Sequence, residues 1–199
     1  MSKGETTRQA ILDRASELTS ELGLEGLTIG SLAADLGLSK SGLFAHFQSK
    51  QALQVQTLEL AAQRFVELVV APALRAGRGE PRVRALFEGW LAWPKAFAQP
   101  GGCVFVAAAA ELDDQPGPAR ELLVKLQRDW LEGLAAAARS GVREGHFRRD
   151  LDVEQFAFEE YGWMLVTHQA WRLLADKQAF KRARRGFDSL IERARVQPA

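Results

Sequence analysis

The sequence predicts an all-α protein of about nine helices, with a small N-terminal domain at residues 1–50 and a larger helical domain at residues 51–199. Apolar residues recur at intervals of three and four over most of the 199 residues, which is typical of helices with one buried face. Segments rich in glycine and proline separate these stretches and indicate where helices end. Two very short helical stretches flank Gly37.

The first helix is predicted at about Thr6–Leu22. Thr6 and Gln9 have the spacing of a capping box, and Gly23 is expected to end the helix. The apolar face that should be buried consists of Ile11, Ala15, Leu18 and Leu22.

The next two helices form a compact pair. Thr28 and Ser39 are expected to cap them, because each side chain can accept from backbone N–H groups that have no partner within the helix. Gly37 supplies a sharp turn, since positive φ is cheap only for glycine. The pair should be held together by Ile29, Leu32, Ala33, Leu36, Leu38, Leu43 and Phe47. This arrangement predicts a helix-turn-helix, whose second helix enters the major groove of double-stranded DNA.

The exposed face of the second short helix carries side chains suited to nucleic acid. Lysine donates to guanine or phosphate, serine contacts either kind of base edge, and an aromatic ring can contact a thymine methyl. Lys50, at the start of the following helix, is expected to bind a phosphate. The predicted DNA contacts are Thr28, Ser39, Lys40, Ser41, Gly42, Phe44, His46 and Lys50. The alternative is an ordinary corner between two packed helices.

The segment LGLSKSGLFAHFQSKQAL resembles the recognition helix of the tetracycline-repressor (TetR) family of bacterial transcription regulators. The resemblance covers about the first quarter of the chain. It implies a repressor that binds a palindromic operator as a homodimer and is released by a small apolar or amphipathic effector. Phe44 stands where the family usually has tyrosine, which removes one hydroxyl contact to the DNA backbone. The alternative is a helical ligand-binding or scaffold protein without operator binding.

The remaining helices are predicted from caps and breaks. Pro72 is expected to interrupt the helix that begins at Ser49, and Pro94 to kink or split a later one. The predicted segments are Ser49–Pro72, a loop at Ala76–Glu80, then Pro81–Ala98, Cys103–Asp113, Ala119–Glu144, a helix capped by Asp152 and ending near Ala175, and a last helix from Asp176 to Arg195. The buried face of the first of these should contain Leu53, Leu58, Ala61, Phe65, Leu68 and Val69.

Aromatic residues are concentrated in the middle of the chain. Flat apolar walls with a few polar groups suit a small-molecule pocket, although such stripes more often fill a core. The candidate effector pocket consists of Phe65, Trp90, Trp93, Phe97, Phe105, Trp130, Trp163 and His168.

The last two helices each carry an apolar stripe. Such a pair can join its two-fold mate in a four-helix bundle, or it can close the core of its own subunit. The candidate dimer contacts are Phe156, Tyr161, Met164, Trp171, Phe187, Leu190 and Ile191.

Composition and motifs argue against several other classes. The net charge is +1, and residues 1–50 hold five basic and six acidic side chains, so we expect moderate, salt-dependent DNA affinity. Phosphate-binding, HExxH and nucleophile-elbow motifs are absent and the three histidines are far apart, so no enzyme, metal or cofactor is expected. The acidic pairs Asp113–Asp114 and Glu159–Glu160 are interpreted as solvated.

Targeting signals are also missing from the sequence. The amino terminus lacks an apolar signal-peptide core, and the longest apolar run, Cys103–Ala110, is too short to span a membrane. The single Cys103 is expected to be buried and fits a reducing cytoplasm.

Overall fold

The computed structural model describes residues 3–95 and 101–197, except for the side chain of Lys3. The helices are α1 Lys3–Gly26, α2 Ile29–Asp35, α3 Lys40–Phe47, α4 Lys50–Phe65, α5 Ala71–Arg75, α6 Glu80–Ala92, α7 Val104–Leu112, α8 Pro118–Arg143, α9 Val153–Arg172 and α10 Ala179–Ala194. A π-helical turn, Val66–Val70, joins α4 to α5 into one continuous helix, so the described ranges hold nine helices, as predicted. None of these helices is both long and apolar enough to cross a membrane.

The chain folds into two compact units. Unit 1 contains Met1–Arg64 and Phe97–Leu126, and unit 2 contains Phe65–Ala96 and Gln127–Ala199. Unit 1 thus combines the N-terminal helices with α7, which lies far away in the sequence. Unit 2 contains α5, α6, α9, α10 and most of α8.

The core of unit 1 is small and lies between α1 and the helices that follow it. Ion pairing supplements this packing: Arg14 on α1 binds Asp35 at the end of α2 through two hydrogen bonds of 2.6 and 3.0 Å. Arg14 lowers the pKa of the Asp35 carboxyl by hydrogen bonding. The buried apolar members of this core are Ile11, Leu12, Ala15, Leu27, Leu32, Ala33, Leu43, Phe47 and Leu53.

The first helix differs from the prediction at its start. It begins at Lys3, so Thr6 lies inside it instead of capping it. Gly23 breaks it as expected, with φ 79° and ψ 172°. Leu22, predicted to be buried, is 53% exposed, because the break ends the apolar stripe one turn earlier. Leu38, in the loop before α3, is also exposed.

Pro72 does not end the helix, contrary to the prediction. The Ala71 N–H donates to the Val66 carbonyl, five residues back, and this wider π turn precedes the proline. The wider turn accommodates the ring and the missing N–H that would break a regular helix. It also displaces the apolar stripe, so Leu68 is exposed while Val69 is buried. Pro94, by contrast, follows the end of α6 in a 3₁₀ turn, as predicted.

In unit 2, α6 is fixed to α10 by stacked rings and ion pairs. Phe87 and Phe187 stack with ring centres 3.9 Å apart. Ion pairs at successive turns of α6 flank the stack: Glu80 with Arg195 (2.6 Å), Arg84 with Asp188 (2.7 Å) and Glu88 with Arg184 (2.6 Å). Hydrogen bonds from Arg195 and Arg84 lower the pKa of Glu80 to about 2, against the opposing effect of burial.

Replacing Glu80 with Gln should destabilise unit 2 in a pH-dependent way. The depressed pKa means that Glu80 contributes stability above its ordinary pKa of 4.5, and that this contribution is lost as the pH falls towards 2. We expect E80Q to lower the free energy of unfolding by about 1–3 kcal/mol at pH 7, because the pair is partly solvated. Urea unfolding at pH 7 and at pH 3 should show this deficit shrinking at the lower pH.

The matched control for this measurement is Glu192→Gln, because Glu192 is an exposed second partner of Arg195 (2.5 Å). We expect E192Q to change stability by less than E80Q. Equal losses in the two variants, or a deficit that does not depend on pH, would contradict the assignment.

Candidate nucleic-acid interface

The recognition helix α3 is fixed to the core by two buried side chains and closed by a cap at each end. Leu43 and Phe47 are buried in the core of unit 1. The Ser39 hydroxyl accepts from the Gly42 N–H (3.0 Å), as predicted for an N-cap. At the other end, Gln48 adopts positive φ (62°), and its N–H donates to the Phe44 carbonyl (2.7 Å). Since these constraints leave the helix little freedom to rotate, they determine which residues face outward.

The predicted contact residues of α3 lie on the outer face of this helix. Lys40, Ser41 and Gly42 are exposed, Phe44 is 52% exposed, and His46 is half-buried. A Cβ at Gly42 would approach the Ser39 hydroxyl to 3.0 Å, so glycine also leaves room for the cap.

The helix before it, α2, is capped as predicted. The Thr28 hydroxyl accepts from the Ser31 N–H (3.0 Å), and the Ser31 hydroxyl accepts from the Thr28 N–H (3.1 Å). The chain then turns at Gly37 with φ 64°. The side chain of Lys40 passes over Gly30, the second residue of α2, where a Cβ would lie 3.3 Å from the lysine Cε. A short side chain at position 30 therefore leaves Lys40 free to extend along α2.

Lys50, predicted to bind phosphate, is engaged within unit 1. Its ammonium donates to the Glu25 carboxylate (2.9 Å) and to the Glu25 carbonyl (3.1 Å). Hydrogen bonds from Lys50 and then Gln54 lower the pKa of the Glu25 carboxyl. A phosphate would therefore compete with Glu25 for this lysine.

The segment Leu24–Gly26, which we call the 24–26 turn, is held from two sides. Gly23 interrupts the helix, which leaves the next N–H groups without carbonyl partners in the preceding turn. The Glu111 carboxylate of α7 accepts from the Leu24 N–H (2.6 Å) and the Glu25 N–H (3.2 Å). On the opposite side, Gln54 of α4 donates to the Leu24 carbonyl (3.1 Å). Sequence reasoning missed this contact, because Glu111 is more than eighty residues away.

A second contact places the start of α7 against α1. The Gly102 N–H donates to the Ser20 carbonyl (3.0 Å), and a Cβ at Gly101 would lie 1.7 Å from the Ser20 hydroxyl. Only glycine permits this approach at position 101. The segment from Gly101 to Leu112 is thus an integral part of unit 1.

The predicted pocket residues are only partly brought together. In unit 2, the Phe65 ring meets Trp93 and Trp130 edge-on, with ring centres 5.2 and 4.9 Å apart. Trp90 is buried on α6, and Trp163 packs against Gly186. His168 lies edge-on to Trp171, and burial together with Arg172 lowers its pKa. Phe105 belongs to unit 1, and Phe97 lies outside the described residues.

Most of the predicted dimer contacts are buried within the single chain. Phe156, Met164, Phe187, Leu190 and Ile191 belong to the interior of unit 2 and are not accessible to a second copy. Tyr161 and Trp171 are half-buried, and the Tyr161 hydroxyl donates to Gln127 (2.6 Å).

A different face of α9 is apolar and exposed. Phe158, Leu165 and Val166 lie on it, and Phe158 is 70% exposed. Gly162 lies among them with open space around its Cβ position. We call Phe158, Gly162, Leu165 and Val166 the α9 stripe.

Glu160 contradicts the prediction that the Glu159–Glu160 pair is solvated. Glu159 is half-buried and pairs with Arg193 at 2.6 Å, whereas Glu160 has no exposed surface. Glu160 faces inward because it lies on the same helical stripe as Phe156 and Met164. Its burial raises its pKa well above 4.5. The pair Asp113–Asp114 is exposed, as predicted.

Replacing Glu111 with Ala should loosen the 24–26 turn. The variant leaves two N–H groups without their acceptor, which costs roughly 1–3 kcal/mol when such groups are shielded from water. We expect faster amide hydrogen exchange at Leu24 and Glu25 and a lower urea midpoint. Asp114→Ala, an exposed acidic residue two positions after α7, is the matched control. Unchanged exchange at these two amides in E111A would refute the role of Glu111.

Comparison with known proteins identifies relatives of both parts of the chain. Residues 11–56 match the family described as bacterial regulatory proteins, tetR family. The tetracycline repressor protein class C of Escherichia coli is 44% identical over 46 residues, which are 23% of this chain and 21% of the relative. The match thus spans about one fifth of the length of this curated relative.

Solved structures resemble the whole fold. A TetR transcriptional regulator from Chloroflexus aurantiacus superposes with a TM-score of 0.89 at 23% identity, covering 99% of this chain and 100% of the other. AibR, in complex with isovaleryl coenzyme A and operator DNA, superposes with a TM-score of 0.70 at 20% identity, covering 92% and 95%.

The C-terminal part decides the family. Residues 79–187, more than half of the chain, match the family described as tetracyclin repressor-like, C-terminal domain. Together with the helix-turn-helix match, this places the function in DNA-binding regulation of transcription and excludes an enzyme. The chain belongs to the TetR family of bacterial transcription regulators.

Proposed function

We propose that the protein is a homodimeric repressor that binds a palindromic operator through α3 and leaves it when a small apolar or amphipathic effector binds. In this proposal residues 1–50 contact DNA, and residues 51–199 bind the effector and form the dimer. The observation that carries it is the outer face of α3, where Lys40, Ser41 and Gly42 are exposed on a helix capped at both ends. As a DNA-bound regulator it would act in the cytoplasm.

The charge distribution around α3 favours selective over purely electrostatic binding. Residues 1–50 carry slightly more acidic than basic groups, and Lys50 is paired with Glu25. Non-specific affinity for DNA scales with the number of phosphates neutralised, which is small here. Discrimination between sequences therefore has to come from base contacts by Lys40 and Ser41 and from the apolar surface of Phe44.

Release by an effector requires a path from the ligand to α3. AibR, which has the same fold, is seen with an acyl coenzyme A and with operator DNA. In this chain, α4 begins three residues after α3 and ends at Phe65, whose ring packs on Trp93 and Trp130. A ligand that separates these rings would change the end of a helix whose start supports α3. A coupling free energy of about 1–3 kcal/mol lowers operator affinity some 5–150-fold.

The DNA-binding part of the proposal predicts a defined operator and a defined loss. Selection from random duplexes with the purified protein should enrich an inverted repeat, with half-sites about 34–36 Å apart or a multiple of this. Lys40→Ala should weaken operator binding roughly 5–150-fold, as expected for the loss of one base contact per subunit. Lys181→Ala, an exposed lysine of α10, should leave affinity unchanged.

If no sequence is enriched, or if the double variant K40A/K50A binds DNA as well as the wild type, the protein does not bind an operator. The scaffold or ligand-binding alternative would then apply.

Dimer formation is proposed to use the α9 stripe. Its apolar side chains recur at helical spacing on a face that nothing in unit 2 covers within the described residues, and Gly162 allows a partner helix to approach closely. A two-fold axis would place this stripe against its own copy, because such interfaces use the same patch on both subunits.

Val166→Asp should therefore separate the subunits. We expect the wild type to sediment at twice the 22.0 kDa chain mass and V166D to sediment as a monomer, because the new charges would be desolvated against each other. Val196→Asp, at a similarly exposed valine after α10, is the matched control and should stay dimeric. A dimer that survives V166D would place the interface elsewhere.

A further inference from the structure

Glu160 is an isolated carboxyl in the interior of unit 2. It has no exposed surface, and neither of its oxygens has a hydrogen-bond partner within residues 3–95 and 101–197. Its helical neighbours on α9, Phe156, Ala157, Met164 and Thr167, are also buried, so the side chain has no route to solvent along its own helix. Burial therefore keeps Glu160 protonated and neutral at pH values where a solvated glutamate is charged.

A carboxyl in this position destabilises the folded protein. Buried polar groups in folded proteins are normally hydrogen-bonded, and an apolar residue of similar volume would fit such a stripe at lower cost. The chain therefore contains an unsatisfied acceptor that packing does not explain.

A second unsatisfied polar group lies near it. The Nε1 of Trp130 on α8 is buried and also has no partner among the described residues. The hydrogen bond from Tyr161 to Gln127 (2.6 Å) places α8 beside α9 at this level. Glu160 precedes Tyr161 by one residue, and Trp130 follows Gln127 by three, about one helical turn. The two groups therefore belong to the same stretch of the contact between α8 and α9.

Aromatic rings border this stretch. Phe65 meets Trp130 edge-on at 4.9 Å and Trp93 edge-on at 5.2 Å, so neither indole face is covered by the Phe65 ring. Aromatic faces attract cations, most strongly where water is excluded. An acidic group next to such rings is complementary to a positively charged nitrogen on an apolar body.

We propose that Glu160, with the rings of Trp130, Trp93 and Phe65, binds the charged nitrogen of an organic cation as the effector. This inference rests on the proposed function and names the chemical class of its ligand. Binding is coupled to deprotonation: the cation enters, the Glu160 O–H proton leaves to solvent, and the carboxylate formed pairs with the cation. The Trp130 N–H then donates to an acceptor on the ligand or to the carboxylate itself.

The other titratable groups around α9 do not produce this coupling. His168, the remaining titratable group on the inner half of α9, has a lowered pKa and is neutral above pH 7. The charged side chains of the helices packed around α9 pair near the surface: Glu159 with Arg193, Glu88 with Arg184, Arg84 with Asp188, and Arg139 with Glu132 and Glu154.

Benzyltrimethylammonium and its neutral carbon isostere, neopentylbenzene, test the proposal on the full-length protein. The first carries a charge at every pH, so any pH dependence of its binding comes from the protein. We expect wild-type affinity for the cation to rise with pH, by up to about tenfold per pH unit while Glu160 is protonated. Calorimetry in two buffers of different ionisation enthalpy should then show proton release. The neutral isostere should bind more weakly than the cation at pH 8, without proton release.

Glu160→Gln should abolish both the pH dependence and the proton release, and should weaken cation binding at least about tenfold at pH 8. Glu159→Gln, one residue away and paired with Arg193, is the matched control and should behave as the wild type. Glu160→Met provides a second variant without a buried amide, and it should fold more stably than the wild type while losing the cation.

The inference is overturned if the wild type does not bind the cation, binds it without releasing a proton, or binds the isostere as tightly. It is also overturned if E160Q binds the cation like the wild type. These titrations use free protein, so they do not depend on operator binding. Selection of an operator combined with failure of the titrations would leave the proposed function intact and remove only the cation.

Discussion

The N–H groups that follow Gly23 need an acceptor, and this requirement determines how unit 1 is assembled. Gly23 cannot continue α1, and the residues after it begin a new helical turn without carbonyls behind it. Glu111 supplies the acceptor, while Lys50 and Gln54 bind the carbonyl side of the same turn. Since α4 starts directly after the recognition helix, these contacts connect α7 to the position of α3 entirely within unit 1. A change in α7 therefore has a short path to the surface that contacts DNA.

Local signals in the sequence predicted the recognition helix well, because they act over three or four residues. Thr28 and Ser39 cap their helices, and Gly37 turns with positive φ, as their side chains alone imply. The same reasoning failed at Pro72, because the sequence gives no sign that the preceding turn is π-helical. It also could not find Glu111, whose partners are set by tertiary packing.

Helical periodicity identified apolar faces but not what covers them. α9 has an inner face with Phe156 and Met164 and an outer one with Phe158 and Val166, and both recur at helical spacing. Sequence reasoning chose the inner residues for the dimer, because their stripe continues into Trp171. Burial in the single chain separates the two faces: the inner one is already packed, and only the outer one is open to a second subunit.

Glu160 illustrates the opposite limit, where the ordinary interpretation of a residue type failed. A glutamate next to another glutamate on a helix is expected to be solvated, yet successive residues on a helix differ by about 100° in direction, so one can face water and the other the core. The cost of burying this carboxyl is paid in the ligand-free state and is recovered when a cation arrives. The free energy that destabilises the empty site thus becomes available for discriminating between a charged ligand and a neutral one of the same shape, because only the charged ligand converts the neutral acid into an ion pair.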